Sequence, residues 1–283
     1  FVKYEFWANH ISSVKNIGSK TYSISTLLRP TQHFFHPIFG RFTKNVLFQF
    51  DHFFVQNDET KNLLNSIGIT AVTLTGDSRY DRVLENKAQL IPNENIVKFV
   101  AGSSKTLIAG SIWEPDLNLL KQSNIKQHFD RIILAPHNID QTTIKQIESA
   151  FPNETIRFTQ FNETDKNILI LDTIGHLASA YSYGNIAYVG GGFSGSLHNI
   201  LEPAVFGLPV IFGPKHKKFP EANHFQQRGI GFSVETPNEL NAVLDELQGE
   251  QLKKLSSETS KMVLENAGAA RKIGTFVISN QVL

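Results

Sequence analysis

The residues most able to do chemistry follow a glycine-rich turn in the second half of the chain. The apolar run 186–190 predicts a strand that ends in Gly190, Gly191 and Gly192, and the sequence beyond it predicts a helix starting near Ser196. Backbone amides at a helix start favour a phosphate, and a carboxylate one turn later could accept from two ribose hydroxyls. We therefore predict a nucleotide-linked donor here, bound by Gly191, Gly192, Phe193, Ser194, His198, Asn199 and Glu202.

A structural role is also open for each of these residues. Glycine suits any tight turn that needs positive φ, and Glu202 near a helix start would offset the helix dipole. His198 and Asn199 could simply cap that helix. Three glycines followed by small residues exceed what a turn requires, which favours the ligand.

Other polar or glycine-rich turns also come directly after predicted strands. In α/β sheets, ligands lie at the carboxyl ends of the strands. Gly110 with Ser111 and His137 after Pro136 are therefore further donor-site candidates. Lys215 and Lys218, after Gly213-Pro214, could contact donor or acceptor anions, or form a solvated loop.

Strands alternate with helices along the whole chain, which predicts parallel sheets built from βαβ units. The polar stretch 85–104 is the best candidate linker, so we expect domains over residues 1–88 and 89–283, the second with closing helices. Residues 1–6 read as a buried strand that carries Glu5, and a buried carboxylate must be paired or functional. Arg79, in Gly76-Asp77-Ser78-Arg79, could neutralise a donor anion or pair with a neighbouring aspartate.

Composition narrows the classes of partner. The net charge is +1 over 283 residues, which gives no reason to expect nucleic acid. Cysteine is absent, and the ten histidines lie in no metal-binding pattern, so we expect no thiolate site, metal or cofactor.

The segment from Phe34 to Phe54 mixes phenylalanines with basic residues. An amphipathic helix packing into the core explains most of its aromatic residues. An apolar face flanked by Arg41 and Lys44 would equally suit an anionic bilayer and a phosphorylated acceptor.

Several motifs together resemble the 3-deoxy-D-manno-octulosonic acid (Kdo) transferases, in order along nearly the whole chain. They are Lys3-Tyr-Glu-Phe-Trp, Gly76-Asp-Ser-Arg-Tyr-Asp, Gly110-Ser111, Asp172-Thr-Ile-Gly, Val189-Gly-Gly-Gly-Phe, His198-Asn-Ile-Leu-Glu-Pro-Ala and Phe212-Gly-Pro-Lys-His-Lys-Lys-Phe. The resemblance implies an α/β, GT-B glycosyltransferase with two Rossmann-like domains facing a cleft, the first of them incomplete here. It also implies transfer of Kdo from CMP-Kdo to the lipid A precursor in lipopolysaccharide biosynthesis, without a metal, at the cytoplasmic face of the inner membrane.

The resemblance assigns roles to two residues of the first domain and departs from the family at two places. Glu5 and Arg79 would face the donor, and the catalytic base is expected in a segment upstream of Phe1. His137 stands where many family members carry arginine. Two other readings stay open: a GT-B enzyme using a UDP-sugar, as transferase or UDP-GlcNAc 2-epimerase, and a non-catalytic carbohydrate- or membrane-binding relative.

Overall fold

The computed structural model describes residues 1–36, 40–162 and 164–280, without the side chains of Arg41 and Phe42. The chain forms two compact units. The first contains Phe1–Arg82 and the segment from Glu265 onward, and the second is Val83–Leu264.

The first unit is built on a three-stranded parallel sheet with the order β1-β2-β3. Its strands are β1 (Tyr22–Thr26), β2 (His52–Val55) and β3 (Val72–Leu74). Its early helices are α1 (Ala8–Asn16), α2 (Gly40–Thr43) and α3 (Asp58–Ser66), with 3-10 turns over His33–Phe35 and Lys44–Gln49. The Asn57 side chain caps α3 by accepting from the Thr60 amide at 2.9 Å.

Most of the described phenylalanine side chains of the segment from Phe34 to Phe54 lie in the core of this unit. Phe34, Phe50 and Phe53 are buried in one cluster with Leu47 and Ile11. The core interpretation of these side chains is therefore confirmed, and Phe48 is the large exposed exception among the described ones.

The prediction of a buried strand over residues 1–6 is wrong. Val2 forms one isolated bridge with Ile24, and the chain then turns at Lys3, whose φ is 52°. The turn ends the pairing and leaves Glu5 exposed, where its carboxylate accepts from the Val2 amide at 3.3 Å.

The second unit is built on a seven-stranded parallel sheet with the order β10-β9-β8-β4-β5-β7-β6. Its strands are β4 (Thr106–Ile112), β5 (Arg131–Pro136), β6 (Thr155–Arg157), β7 (Ile168–Ile170), β8 (Ile186–Val189), β9 (Val210–Phe212) and β10 (Gly231–Ser233). The sequence missed β6 and β10, which are three-residue strands at the two edges. In the middle of the sheet, β4, β5 and β8 are almost wholly buried.

The helices of the second unit follow the strands in alternation. They are α4 (Arg79–Ala88), α5 (Glu94–Val100), α6 (Glu114–Gln122), α7 (Ile125–His128), α8 (Gln141–Ala150), α9 (Leu177–Tyr181), α10 (Leu201–Ala204), α11 (Pro220–Gln227), α12 (Pro237–Glu246) and α13 (Gly249–Glu265). The boundary between the two units falls within α4. The stretch 85–104, expected to be a linker, is therefore mostly helical.

The last helix, α14 (Ala269–Ser279), packs on the first sheet, although the sequence placed it with the second domain. The ring of Phe276 lies 4.3 Å from that of His52 and 5.1 Å from that of Phe54. These aromatic contacts anchor the helix to β2. The chain thus returns to the first unit at its end.

Candidate functional site

The glycine run lies where two central strands of the second unit end side by side. The Gly190 amide donates to the Gly110 carbonyl at 2.9 Å, and a Cβ on Gly190 would stand 2.2 Å from the carbonyl oxygen of Ser111. A Cβ on Gly192 would stand 2.4 Å from the Gly213 nitrogen, and Gly191 has a φ of 88°. Backbone packing alone therefore requires all three glycines.

The helix expected to start near Ser196 does not form there. The amides of Ser196 and His198 fold back onto the carbonyls of Gly191 and Gly190, at 3.0 and 3.2 Å. Helix α10 begins only at Leu201 and has four residues, so its dipole is small. Asn199 lies one residue before the N-cap Ile200, and its side chain accepts from the Leu201 amide at 3.3 Å.

The donors left for an anion lie in the turn 192–195. The Gly191 amide is taken by a carboxylate, and those of Gly190, Ser196 and His198 are taken by carbonyls. For the four amides of the turn, the described part of the chain provides no hydrogen-bond partner.

Two predicted lysines lie against this turn. The Lys215 amide donates to the Gly192 carbonyl at 2.7 Å, and the Lys218 ammonium lies 3.9 Å from where a Gly195 Cβ would stand. The loop after β9 thus brings the Lys218 ammonium and the backbone of Lys215 to the turn that follows β8. An ammonium group and amides without a partner among the described residues make this turn, which we call the 192–195 turn, suitable for an anion.

Three rings stack at the same sheet edge. Trp113 lies 4.0 Å from His137 with the planes 21° apart, and His137 lies 4.7 Å from His198. The indole N–H of Trp113 points to Nε2 of His198 at 3.4 Å. Burial lowers the pKa of His198, and the neighbouring His137 lowers it further. The structure therefore brings together two predicted site residues and adds Trp113, which the sequence analysis missed.

A buried carboxylate lies beneath the glycine run. Asp116 has no exposed surface and accepts from the Tyr188 hydroxyl at 2.7 Å, the Trp113 amide at 2.9 Å and the Gly191 amide at 3.1 Å. Burial raises the pKa of Asp116, and its hydrogen bonds oppose that shift. Sequence reasoning missed this residue because an acidic side chain in the first turn of a helix usually reads as an exposed cap.

The end of β4 has an unusual backbone. Ser111 has a φ of 54° at a register shift of the strand, and its carbonyl contacts Gly190. A Cβ on Gly110 would stand 2.0 Å from the hydroxyl of Tyr181, a wholly buried side chain whose pKa burial raises. Gly110 is therefore also explained by packing, whereas the strained Ser111 is typical of a functional position.

Glu202 is half-buried and accepts from the Asn199 side-chain amide at 3.2 Å. Burial raises the pKa of Glu202. The carboxylate lines a cavity of about 170 Å³ with Asn86, Lys87 and Phe206. Within the described part of the chain Glu202 makes no hydrogen bond to the 192–195 turn, so its role as a ribose ligand stays a prediction.

The predicted residues of the first unit form no comparable cluster among the described side chains. Arg79 forms an ion pair with Asp77. Its Nε lies 2.8 Å from Oδ2 of Asp77, and one terminal guanidinium nitrogen lies 2.7 Å from the same oxygen. Lys44 is half-exposed, and the side chain of Arg41 lies outside the described residues. The described side chains contain no cluster of three metal-ligating groups.

Comparison with known proteins matches the first part of the chain to one family and the longer chain to several relatives. Residues 1–82 match the family described as 3-deoxy-D-manno-octulosonic-acid transferase (kdotransferase). Relatives with that transferase name include proteins of Chlamydia muridarum (23% identity, over 100% of this chain and 68% of the relative), Chlamydophila psittaci (27%, 76% and 51%) and Aquifex aeolicus (31%, 50% and 41%). The chain thus spans from about two fifths to about two thirds of these relatives' lengths.

Solved structures share the fold. The C-terminal CMP-Kdo binding domain of WaaA from Acinetobacter baumannii matches with a TM-score of 0.52 and 19% identity, over 65% of this chain and 98% of that domain. The UDP-GlcNAc 2-epimerase of Neisseria meningitidis matches with a TM-score of 0.59 and 14% identity, over 92% and 72%. The α/β architecture with parallel sheets expected from the sequence is confirmed. The family match over residues 1–82 and the named relatives thus make this chain similar to the Kdo transferases, and the solved structures share its fold.

Proposed function

We propose that the protein containing this chain transfers Kdo from CMP-Kdo to a lipid A precursor, lipid IVA, in lipopolysaccharide core biosynthesis. The second unit would hold the donor. The observation that carries this proposal is the 192–195 turn with Lys215 and Lys218 against it, at the carboxyl edge of a parallel sheet. The transferase name of the relatives supports the choice of donor, as does the likeness to the CMP-Kdo binding domain of Acinetobacter baumannii.

The phosphate of CMP would lie on the 192–195 turn. As the glycosidic bond breaks, the departing CMP gains negative charge, so nearby amides and ammonium groups stabilise the transition state more than the bound substrate. The Trp113–His137–His198 stack borders the same edge and offers imidazole nitrogens to the Kdo carboxylate. In this arrangement the chain stabilises the leaving group.

The remaining roles are proposed by resemblance. Glu202 would accept from the ribose hydroxyls, and its one hydrogen-bond donor among the described residues, Asn199, leaves acceptor capacity for them. Glu5 and Arg79 would act from the first unit.

Contact with the cytoplasmic face of the inner membrane is proposed for the first unit. Its exposed large apolar side chains include Tyr4 (46%), Trp7 (58%) and Phe48 (49%), which suit the interfacial region of a bilayer. Among the described helices, none combines the length and apolar character needed to cross a bilayer. Vesicles containing phosphatidylglycerol should retain the protein, and Trp7→Ala should weaken that binding more than Ile91→Ala, which removes an exposed side chain of the second unit.

A nucleotide panel tests the donor assignment. With CMP, UDP and GDP at about 100 times the dissociation constant, the specific nucleotide should raise stability by about 2.7 kcal/mol. We expect CMP alone to raise the melting temperature. Stabilisation by UDP instead would favour a UDP-sugar enzyme, and no response to any of the three would refute the site.

The variant Glu202→Ala tests the proposed contact between Glu202 and the ribose of CMP. Loss of one or two hydrogen bonds should weaken CMP binding by roughly 1–3 kcal/mol. Calorimetry with CMP and with 2′,3′-dideoxy-CMP separates the contributions, because the variant should lose affinity for CMP only. An equal loss for both nucleotides would place Glu202 away from the ribose.

A further inference from the structure

The carboxylate of Asp116 joins three segments that meet at the sheet edge. Its three donors belong to the residue after β4 (Trp113), to β8 (Tyr188) and to the glycine run (Gly191). All three donors are neutral groups. No lysine or arginine pairs with this carboxylate among the described side chains.

A buried carboxylate without a cationic partner is costly, so its persistence has to be offset by these hydrogen bonds. A helix cap alone would need only the Trp113 amide. The bonds to Tyr188 and Gly191 connect helix α6 to a different strand and loop, 72 and 75 residues further along the chain. The arrangement therefore fixes the loop as well as the helix.

The peptide groups of Gly191 are held on both sides. Its N–H donates to Asp116, while its carbonyl accepts from the Ser196 amide and the Ser194 hydroxyl, both at 3.0 Å. Gly191 also adopts a φ of 88°, so rotation of this residue would swing the segment that follows it. The next four residues are the 192–195 turn.

We propose that Asp116 is a positioning residue for the phosphate of the donor: by holding the Gly191 amide, it aims the amides of the 192–195 turn at that phosphate. The role rests on the proposed function for the identity of the anion. It predicts that Asp116 affects binding of a phosphate-bearing ligand and has little effect on the nucleoside.

The test compares Asp116→Asn with Tyr188→Phe in the full chain. Oδ2 accepts from the Trp113 and Gly191 amides and Oδ1 from the Tyr188 hydroxyl, so an asparagine oxygen in the place of Oδ2 keeps both amide bonds but removes their charge assistance. Tyr188→Phe removes a single donor. Asp140→Asn is the matched control, because Asp140 caps α8 by accepting from the Thr143 amide at 3.0 Å.

The first measurement needs no ligand. Hydrogen exchange of the peptide covering residues 188–196 should quicken severalfold at Gly191 in Asp116→Asn, since a neutral oxygen holds the amide more weakly than a carboxylate. It should stay at the wild-type rate in Asp140→Asn. Wild-type exchange in Asp116→Asn would overturn the proposal.

The second measurement is the affinity for CMP and for cytidine, well below the melting temperature of each variant. We expect the Kd for CMP to rise about tenfold in Asp116→Asn and less in Tyr188→Phe, with the Kd for cytidine changing less than about twofold. A residue that only stabilises the fold would lower the melting temperature without changing the ratio of the two affinities. An unchanged ratio therefore overturns the proposal.

The outcomes separate this proposal from the proposed function. If the wild-type chain binds no CMP, the donor assignment fails, and with it the anion that Asp116 was to position, while the exchange data still decide whether Asp116 holds the loop. If Asp116→Asn does not fold, exchange in the wild-type chain decides, because a Gly191 amide that exchanges as fast as the amides of the 192–195 turn would overturn the role.

Discussion

Replacing Gly190 by alanine should force the ends of β4 and β8 apart. The added Cβ would stand 2.2 Å from the Ser111 carbonyl oxygen and 2.7 Å from the Ile112 Cα, where real Cβ contacts stay beyond 3.0 Å. Both atoms are backbone, so no side-chain rotation relieves the overlap. Overpacking typically costs about 1–3 kcal/mol, and we expect a value near the upper end, roughly 3 kcal/mol, because the strained Ser111 would have to move.

The assay uses tryptophan fluorescence of one unit. In a Trp7→Phe background Trp113 is the remaining tryptophan of the chain, and it belongs to the second unit. Urea unfolding should then show a lower midpoint for Gly190→Ala at an unchanged m value.

Gly274→Ala is the control, because it adds a methyl group outside the second unit. This glycine lies within α14 of the first unit with no heavy atom within 4 Å of its added Cβ, so the midpoint reported by Trp113 should equal that of the parent. If Gly190→Ala had the same midpoint as the Trp7→Phe parent, the packing explanation of the glycine run would be refuted. A ligand-binding role for these glycines would then be favoured.

Three further outcomes follow from the contacts of the site. The pKa of His198 is lowered in the folded state, so the unfolded chain takes the proton first as the pH falls; the stability of the second unit should be complete above about pH 6.5 and decline below it. His198→Gln should flatten that slope in urea titrations at several pH values. Lys218→Ala should raise the Kd for CMP severalfold and reduce its salt dependence, whereas Lys253→Ala, which removes an exposed cation paired with Glu250, should leave both unchanged in calorimetry. Arg79→Ala should destabilise the first unit by about 1–3 kcal/mol in urea unfolding, because it leaves a largely buried carboxylate with fewer donors; an unchanged midpoint would contradict that role.

The order of elements in the second unit could be predicted from the sequence because its central strands are strongly apolar. Runs such as 131–136 and 186–190 are buried on both faces, and this produces a continuous pattern that differs from that of the helices. The edge strands β6 and β10 have only three residues and are mostly half-buried, so no such pattern marks them. The closing helix α14 was recognised as a helix, but its partner sheet depends on distant contacts of Phe276.

The sequence could predict which strand ends lie together at the candidate site, but not the hydrogen bonds that form there. Strand ends carry Gly110, His137 and Gly190, and parallel pairing brings such ends to one edge. A backbone amide near that edge can bind a ligand only if no carbonyl or carboxylate of the protein accepts its hydrogen bond. The local sequence does not show which acceptor will lie beside it. Asp116 and Trp113 were missed for the same reason, since their partners lie 72 to 85 residues away.

These contacts change the source of anion recognition at the site. A helix start would have offered its amides and dipole, but α10 has four residues and the amides of Gly190 and Gly191 are already used. The remaining attraction for a phosphate comes from the 192–195 turn and from the cations of the loop after β9. Binding governed by flexible lysines is screened by salt far more than binding governed by enclosed amides. The slope of CMP affinity against salt concentration therefore measures how much of the binding free energy comes from Lys215 and Lys218. The remainder comes from the amides of the 192–195 turn, which Asp116 holds.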